Sequence, residues 1–127
     1  MPTLTDLPLQ ILIVDDDPGG IKALGRLLRV AGHTVETAFS GAEALLYFQK
    51  ERFDLVIADY QMPEMNGDEL VAAIKRLVPK QPVMIRTAQV ERLGSSVCLL
   101  SSVVTVIDKL STAEELFETI AKLSRKL

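Results

Sequence analysis

The strongest constraint on the fold is an alternation: short runs rich in Val, Ile and Leu recur at residues 9–14, 34–37, 55–58, 83–85 and 103–107, separated by longer helix-patterned stretches. Runs this apolar suit strands covered on both faces, and strands alternating with helices build a parallel sheet. Five such strands predict one α/β domain of (βα)5 type.

The helix starts carry their own chemistry. Ser40 with Glu43, Asn66 with Glu69 and Ser111 with Glu114 stand at capping-box spacing, so three helices are expected to begin there. Pro18 suits the first turn of another helix, which runs to about Ala31 before Gly32. A further helix is expected over residues 90–101. Residues 1–8 read as a short frayed lead and residues 9–127 as the domain.

A chain of 127 residues, 48% of them hydrophobic, can bury a core without staples. Cys98 is the single cysteine, which excludes an internal disulfide framework and a thiolate-rich zinc site and suits a reducing compartment. A net charge of −3 offers no electrostatic case for binding nucleic acid through this domain. The first ten residues lack the basic and apolar regions of a secretion signal, and no apolar run reaches the ~18 to 20 residues of a membrane span. A cytoplasmic protein without membrane contact is expected.

In open parallel sheets, ligands bind beyond the carboxyl ends of the strands, where the loops meet. Polar residues stand there after each apolar run: Asp15, Asp16 and Asp17; Asp59; Thr87 and Ala88; Asp108 and Lys109. Three carboxylates converging from two strand ends would repel one another unless a hard cation sat between them, and magnesium prefers oxygen ligands of this kind. Thr87 can donate to one phosphoryl oxygen and Lys109 can neutralise another. The layout is that of a phosphoryl-transfer site built by positioning and electrostatics, with a carboxylate as nucleophile. Taken singly, each of these residues reads as structural, and Asp17 and Asp108 in particular fit a helix cap or a turn. Their joint placement carries the functional reading.

The stretches Ile-Leu-Ile-Val-Asp-Asp-Asp-Pro at 11–18 and Asp-Leu-Val-Ile-Ala-Asp-Tyr-Gln-Met-Pro-Glu-Met-Asn-Gly at 54–67, followed by Thr87-Ala88 and Lys109, resemble the receiver domains of two-component response regulators. The resemblance covers almost the whole chain. It implies a flavodoxin-like three-layer sandwich with strand order 2-1-3-4-5. It further implies that Asp59 accepts a phosphoryl group, with Mg2+, from a sensor histidine kinase, a phosphotransfer protein or a small acyl phosphate. Asp16 would ligate the metal directly, Asp15 mainly through a water, and Asp59 and the backbone carbonyl of Gln61 would complete the protein ligands. Thr87 and Lys109 would grip the phosphoryl group, and Gln61 and Gln89 would tune its loss to water. Such a module catalyses its own phosphorylation and dephosphorylation and turns over no external metabolite. A haloacid-dehalogenase-type phosphatase shares an Asp-x-Asp opening with Asp15–Asp17. That family places its nucleophile on the first strand, and Pro18-Gly19 departs from its pattern.

Three residues depart from the receiver pattern. Family members usually carry proline after the lysine, joined by a cis peptide. Leu110 stands there, and a cis bond to it would cost ~2.5 to 4 kcal/mol, so a trans bond is expected, with displacement of the loop and of the Lys109 ammonium. Val106 replaces the aromatic ring that usually couples the threonine to the output surface. Arg86 replaces an aliphatic residue and adds a cation at the site edge, within reach of Asp108. Together these suggest, as the alternative function, a receiver-like interaction domain whose output is independent of phosphorylation. No charged residue occurs between Leu93 and Ile107. This predicts an interface, a homodimer or an effector contact, through the family's fourth helix, fifth strand and fifth helix. His33 reads as a surface or edge histidine, and Phe39, Tyr47, Phe48, Phe53 and Phe117 as core or helix-packing residues. Leu116, Ile120 and Leu123 are placed on the inner stripe of the last helix.

Overall fold

The computed structural model describes residues 8–88 and 104–124. Within them the order is β1 (Gln10–Val14), α1 (Pro18–Val30), β2 (Thr34–Ala38), α2 (Gly41–Lys50), β3 (Leu55–Asp59), α3 (Gly67–Leu77), β4 (Val83–Thr87), β5 (Val104–Asp108) and α4 (Ala113–Ser124). The expected helix over residues 90–101, Cys98, Gln89 and most of the uncharged run lie outside the described residues.

The five strands form one sheet in the order β2-β1-β3-β4-β5, and every pairing is parallel. Side chains alternate across it, as the period of two requires. Ile11 and Ile13 of β1, Leu55 and Ile57 of β3 and Met84 of β4 point to one face, where they pack with Leu24 and Leu28 of α1 and Leu116 and Ile120 of α4. Leu12, Val14, Val56, Ala58, Val83 and Ile85 point to the other, where they meet Phe48 of α2 and Leu70 and Ile74 of α3. Truncating a fully buried Ile57 or Ile120 to alanine would cost about 2–5 kcal/mol. Phe48 and Phe53 meet edge to face with ring centroids 5.5 Å apart, and Leu123 and Phe117 pack, half-buried, at the rim of the α1/α4 layer.

Local signals set the element ends. Asp17 caps α1, accepting a hydrogen bond from the Gly19 amide at 3.2 Å, and Gly32 turns the chain out of the helix at φ 102°. Ser40 Oγ accepts from the Glu43 amide, while Glu43 Oε1 reaches past the cap to the Phe39 amide. Asn66 and Glu69 form a complete capping box. The last cap falls one residue later than Ser111. Thr112 Oγ1 accepts from the Glu115 amide at 3.1 Å and Glu115 Oε1 accepts from the Thr112 amide at 3.3 Å. Ser111 is taken instead by the preceding turn, where its amide donates to the Asp108 carbonyl at 3.0 Å.

Two side chains are placed differently from their sequence reading. His33 is buried, 5% exposed, because its Nδ1 accepts the Leu9 amide at 3.0 Å where the chain enters β1. Phe39 is 46% exposed and contributes to neither core cluster, because β2 has already ended at Ala38 and the chain is turning into the Ser40 cap.

Candidate functional site

The ladders run on into polar residues at the carboxyl end of the sheet. Asp59, Thr87 and Asp108 are the last residues of β3, β4 and β5, with Asp59 in register with Arg86 and Thr87 with Asp108. Asp15 follows β1 directly, and its amide still donates to Ala38 of β2 at 3.1 Å. Because β1 and β3 are neighbours, Asp15, Asp16 and Asp59 come together, each offering a carboxylate oxygen within 4.8 Å of the others. Asp15 and Asp59 are buried, and Asp16 is exposed at the mouth.

Each carboxylate is held differently. Asp15 Oδ1 accepts the Asp17 amide at 3.0 Å. Asp59 Oδ1 lies 3.4 Å from the Gln61 amide, and its Oδ2 forms an ion pair with Lys109 Nζ at 2.9 Å. Burial pushes the Asp15 carboxyl above its ordinary value, opposed by the Asp17 amide, and the charge of Asp59 adds to the upward shift, partly offset by Lys109. Three clustered acids facing a single ammonium leave excess negative charge. An all-oxygen donor set with one exposed member fits a hard divalent cation.

The Lys109-Leu110 peptide is trans, since no cis bond occurs among the described residues. Across this trans peptide the Lys109 ammonium reaches Asp59. Its amide donates to the Thr87 carbonyl at 2.9 Å, tying the end of β5 to that of β4. Thr87 is buried and Gln61 exposed. Val106 is half-buried against the α2/α3-side cluster. Arg86 is half-buried and makes no ion pair with Asp108 among the described residues, where Asp108 Oδ1 instead accepts the Leu110 amide.

The loop after Asp59 is shaped by contacts the sequence reading did not identify. Tyr60 Oη donates to Asp68 Oδ2 at 2.8 Å, the Gly67 amide donates to the Tyr60 carbonyl at 2.7 Å, and the Met65 amide closes a tight turn on the Pro63 carbonyl around Glu64 at φ 68°. A Cβ on residue 67 would stand 2.9 Å from Tyr60 Cδ1 and 3.0 Å from Tyr60 Cα, so any larger residue would have to displace Tyr60. The bond to Asp68 holds the Tyr60 hydroxyl above its ordinary pKa. An aromatic beside the acidic strand end was the only available signal of this clasp.

A five-stranded parallel sheet with an acidic pocket and a lysine at its carboxyl end defines the phosphoacceptor receiver class, whose members are not enzymes acting on an external substrate. The chain belongs to the response regulator receiver domain family, whose model matches residues 11–121. Receiver domains of this family are phosphorylated by histidine kinases. The chain is 49% identical over 81 residues to the transcriptional regulatory protein GlrR of Escherichia coli K12, which covers 64% of this chain and 18% of that protein. It is 39% identical over 104 residues to E. coli K12 ZraR, covering 82% of this chain and 21% of that one. The chain thus spans about a fifth of the length of these relatives.

Among solved structures, Vibrio cholerae chemotaxis protein CheY4 superposes with a TM-score of 0.81 at 30% identity, covering 92% of this chain and 99% of that one. Thermotoga maritima response regulator TrrA, solved in complex with Mg(2+)-BeF, superposes with a TM-score of 0.79 at 31% identity, covering 90% and 97%. No helix among the described residues is long and apolar enough to cross a membrane.

Proposed function

We propose that Asp59 is the phosphoacceptor of a magnesium-dependent switch in the cytoplasm, charged by a sensor histidine kinase, a phosphotransfer protein or a small acyl phosphate. The observation that carries this reading is the Lys109 ammonium 2.9 Å from Asp59 Oδ2, beside two further carboxylates within 4.8 Å. Asp15, Asp16, Asp59 and the Gln61 carbonyl would hold Mg2+, which supplies positive charge to neutralise the acids and the incoming phosphoryl oxygens.

The protein's part is positioning. A carboxylate oxygen of Asp59 attacks phosphorus as the bond to the donor's imidazole nitrogen breaks, and the electron pair leaves on that nitrogen. Lys109, already at the acceptor, balances charge on the transferred group, and the Thr87 hydroxyl donates to one of its oxygens. The later loss of the group requires a water to attack the same phosphorus, and Gln61 and Gln89 orient or screen that water. Val106 is too short and stiff to swing as a ring does, so the switch acts through the backbone of β4 and β5. Arg86 adds positive charge at the site edge. The switch signals to an effector or a second copy of the chain through the segment 90–101 together with β5 and α4.

The deciding experiment is intact mass after incubation with magnesium and acetyl phosphate, beside Asp59→Asn. A single phosphoryl adduct on the wild type, absent from the variant, is expected. A folded, magnesium-bound wild type that never gains the adduct from either acetyl phosphate or a kinase would replace this reading with a phosphorylation-independent interaction domain.

A further inference from the structure

Lys109 sits in a connection that has little else to fix it. The loop runs from the end of β5 at Asp108 to the Thr112 cap of α4, and Leu110 between them is 85% exposed, so no apolar anchor holds its centre. The peptide after Lys109 is trans and the side chain of Lys109 is one-third exposed. A flexible four-carbon stem on such a loop would sample many positions, yet its ammonium rests on Asp59 Oδ2.

Three hydrogen bonds from loop amides hold this connection, and two of them converge on Asp108. The Asp108 carboxylate accepts the Leu110 amide at 2.8 Å, and the Asp108 carbonyl accepts the Ser111 amide at 3.0 Å. These bonds close an Asx turn inside a tight turn around Lys109. The third bond, from the Lys109 amide to the Thr87 carbonyl at 2.9 Å, pins Lys109 itself to β4. Asp108 is itself the terminal residue of β5, in register with Thr87 of β4.

We propose that Asp108 is a positioning residue: its carboxylate oxygen, by holding the Leu110 amide, sets the turn that aims the Lys109 ammonium at Asp59. The requirement is for an acceptor at this position. A negative charge is not needed and would oppose an incoming phosphoryl group. Asparagine therefore preserves the role and alanine abolishes it. This role deepens the phosphoacceptor reading of the same site, and rests on it only for the activity arm of the test.

The test compares Asp108→Ala and Asp108→Asn with the wild type in two readouts. The first is the Lys109 ζ-ammonium resonance, assigned by its absence in Lys109→Met, whose exchange with water is slowed while the ion pair holds. Asp108→Ala is expected to exchange like a solvent-exposed lysine, and Asp108→Asn like the wild type. The second is the rate of phosphorylation by acetyl phosphate, expected to be about 10-fold lower in Asp108→Ala and within about 2-fold of wild type in Asp108→Asn. Both substitutions remove the charge, so a difference between them isolates the acceptor. A wild-type-like Lys109 signal in Asp108→Ala, or an Asp108→Asn that behaves as the alanine variant does, would overturn the role. A wild type that takes no phosphoryl group would sink the functional reading, while the ammonium signal would still decide the role of Asp108.

Discussion

Lys109 Nζ lies 2.9 Å from Asp59 Oδ2 although β4 runs between β3, which ends in Asp59, and β5, which Lys109 follows. The contact spans the carboxyl end of the sheet and gives the nearly buried Asp59 a positive partner. Lys109→Met leaves three acids with no ammonium among them. At pH 7 in metal-free buffer it should lower stability by about 1–3 kcal/mol, below the usual cost for a fully buried pair because a third of the Lys109 side chain is exposed. Urea denaturation measures this. Phosphoryl uptake, read by intact mass, should fall about 100-fold. Unchanged uptake would show that the ammonium has no part in the chemistry.

Magnesium should stabilise the folded chain, because the three clustered oxygens exist only in it. At a concentration 100 times its Kd the gain is about 2.7 kcal/mol, lost on adding a chelator and nearly absent in Asp16→Asn. Thermal melts with and without the ion check this. In metal-free buffer the order of stability reverses for Asp15→Asn. Burial holds the Asp15 carboxyl above its ordinary value of 3.8, so the folded state binds that proton more tightly than the unfolded chain. Stability is therefore lost as pH rises from 3.8 through the raised value. At pH 7 the asparagine variant escapes that loss, and its urea midpoint should exceed that of the wild type.

His33 makes folding pH-dependent in the opposite sense. Its Nδ1 accepts the Leu9 amide, which a doubly protonated ring cannot do, and burial lowers its pKa from the ordinary 6.5. The unfolded chain therefore binds the proton more readily. Stability is complete above pH 6.5 and is lost as pH falls from there to the lowered value. His33→Phe leaves the Leu9 amide unpaired, costing about 1–3 kcal/mol at pH 7.5. It should also flatten the slope of stability just below pH 6.5, where His33 is the only histidine to titrate. Denaturation curves at several pH values would expose a slope that survives the substitution, which would assign it elsewhere.

The cap of α4 can be located by two substitutions. Thr112→Ala removes the hydroxyl that accepts the Glu115 amide and should cost about 1 kcal/mol. Ser111→Ala leaves that box intact and should stay within about 0.5 kcal/mol of wild type. Equal losses in chemical denaturation would mean that the helix starts at either residue.

Among the described residues, the strand and helix positions were legible in the sequence because they rest on local physics. Apolar runs, capping spacings, Pro18 and Gly32 act within a turn or two of chain, and the strand-end acids follow the runs directly. Resemblance to the receiver family supplied the strand order. The choice between Ser111 and Thr112 was not legible, since both stand three residues before a glutamate and only the turn at Asp108 selects between them. Phe39 and His33 were misplaced for a related reason: their burial depends on where β2 stops and where β1 begins.

By itself, the sequence determined five parallel strands, the four described helices that accompany them, and acids at the ends of β1 and β3. Tertiary structure alone decided that Lys109, on a trans peptide beside an exposed Leu110, still reaches Asp59, and that Asp108 shapes the turn from which it does so. A strand's identity is written in a few consecutive residues. The 2.9 Å between Lys109 and Asp59 depends instead on the parallel register of three strands and on the hydrogen bonds of one loop, which exist only when residues distant in sequence are brought together.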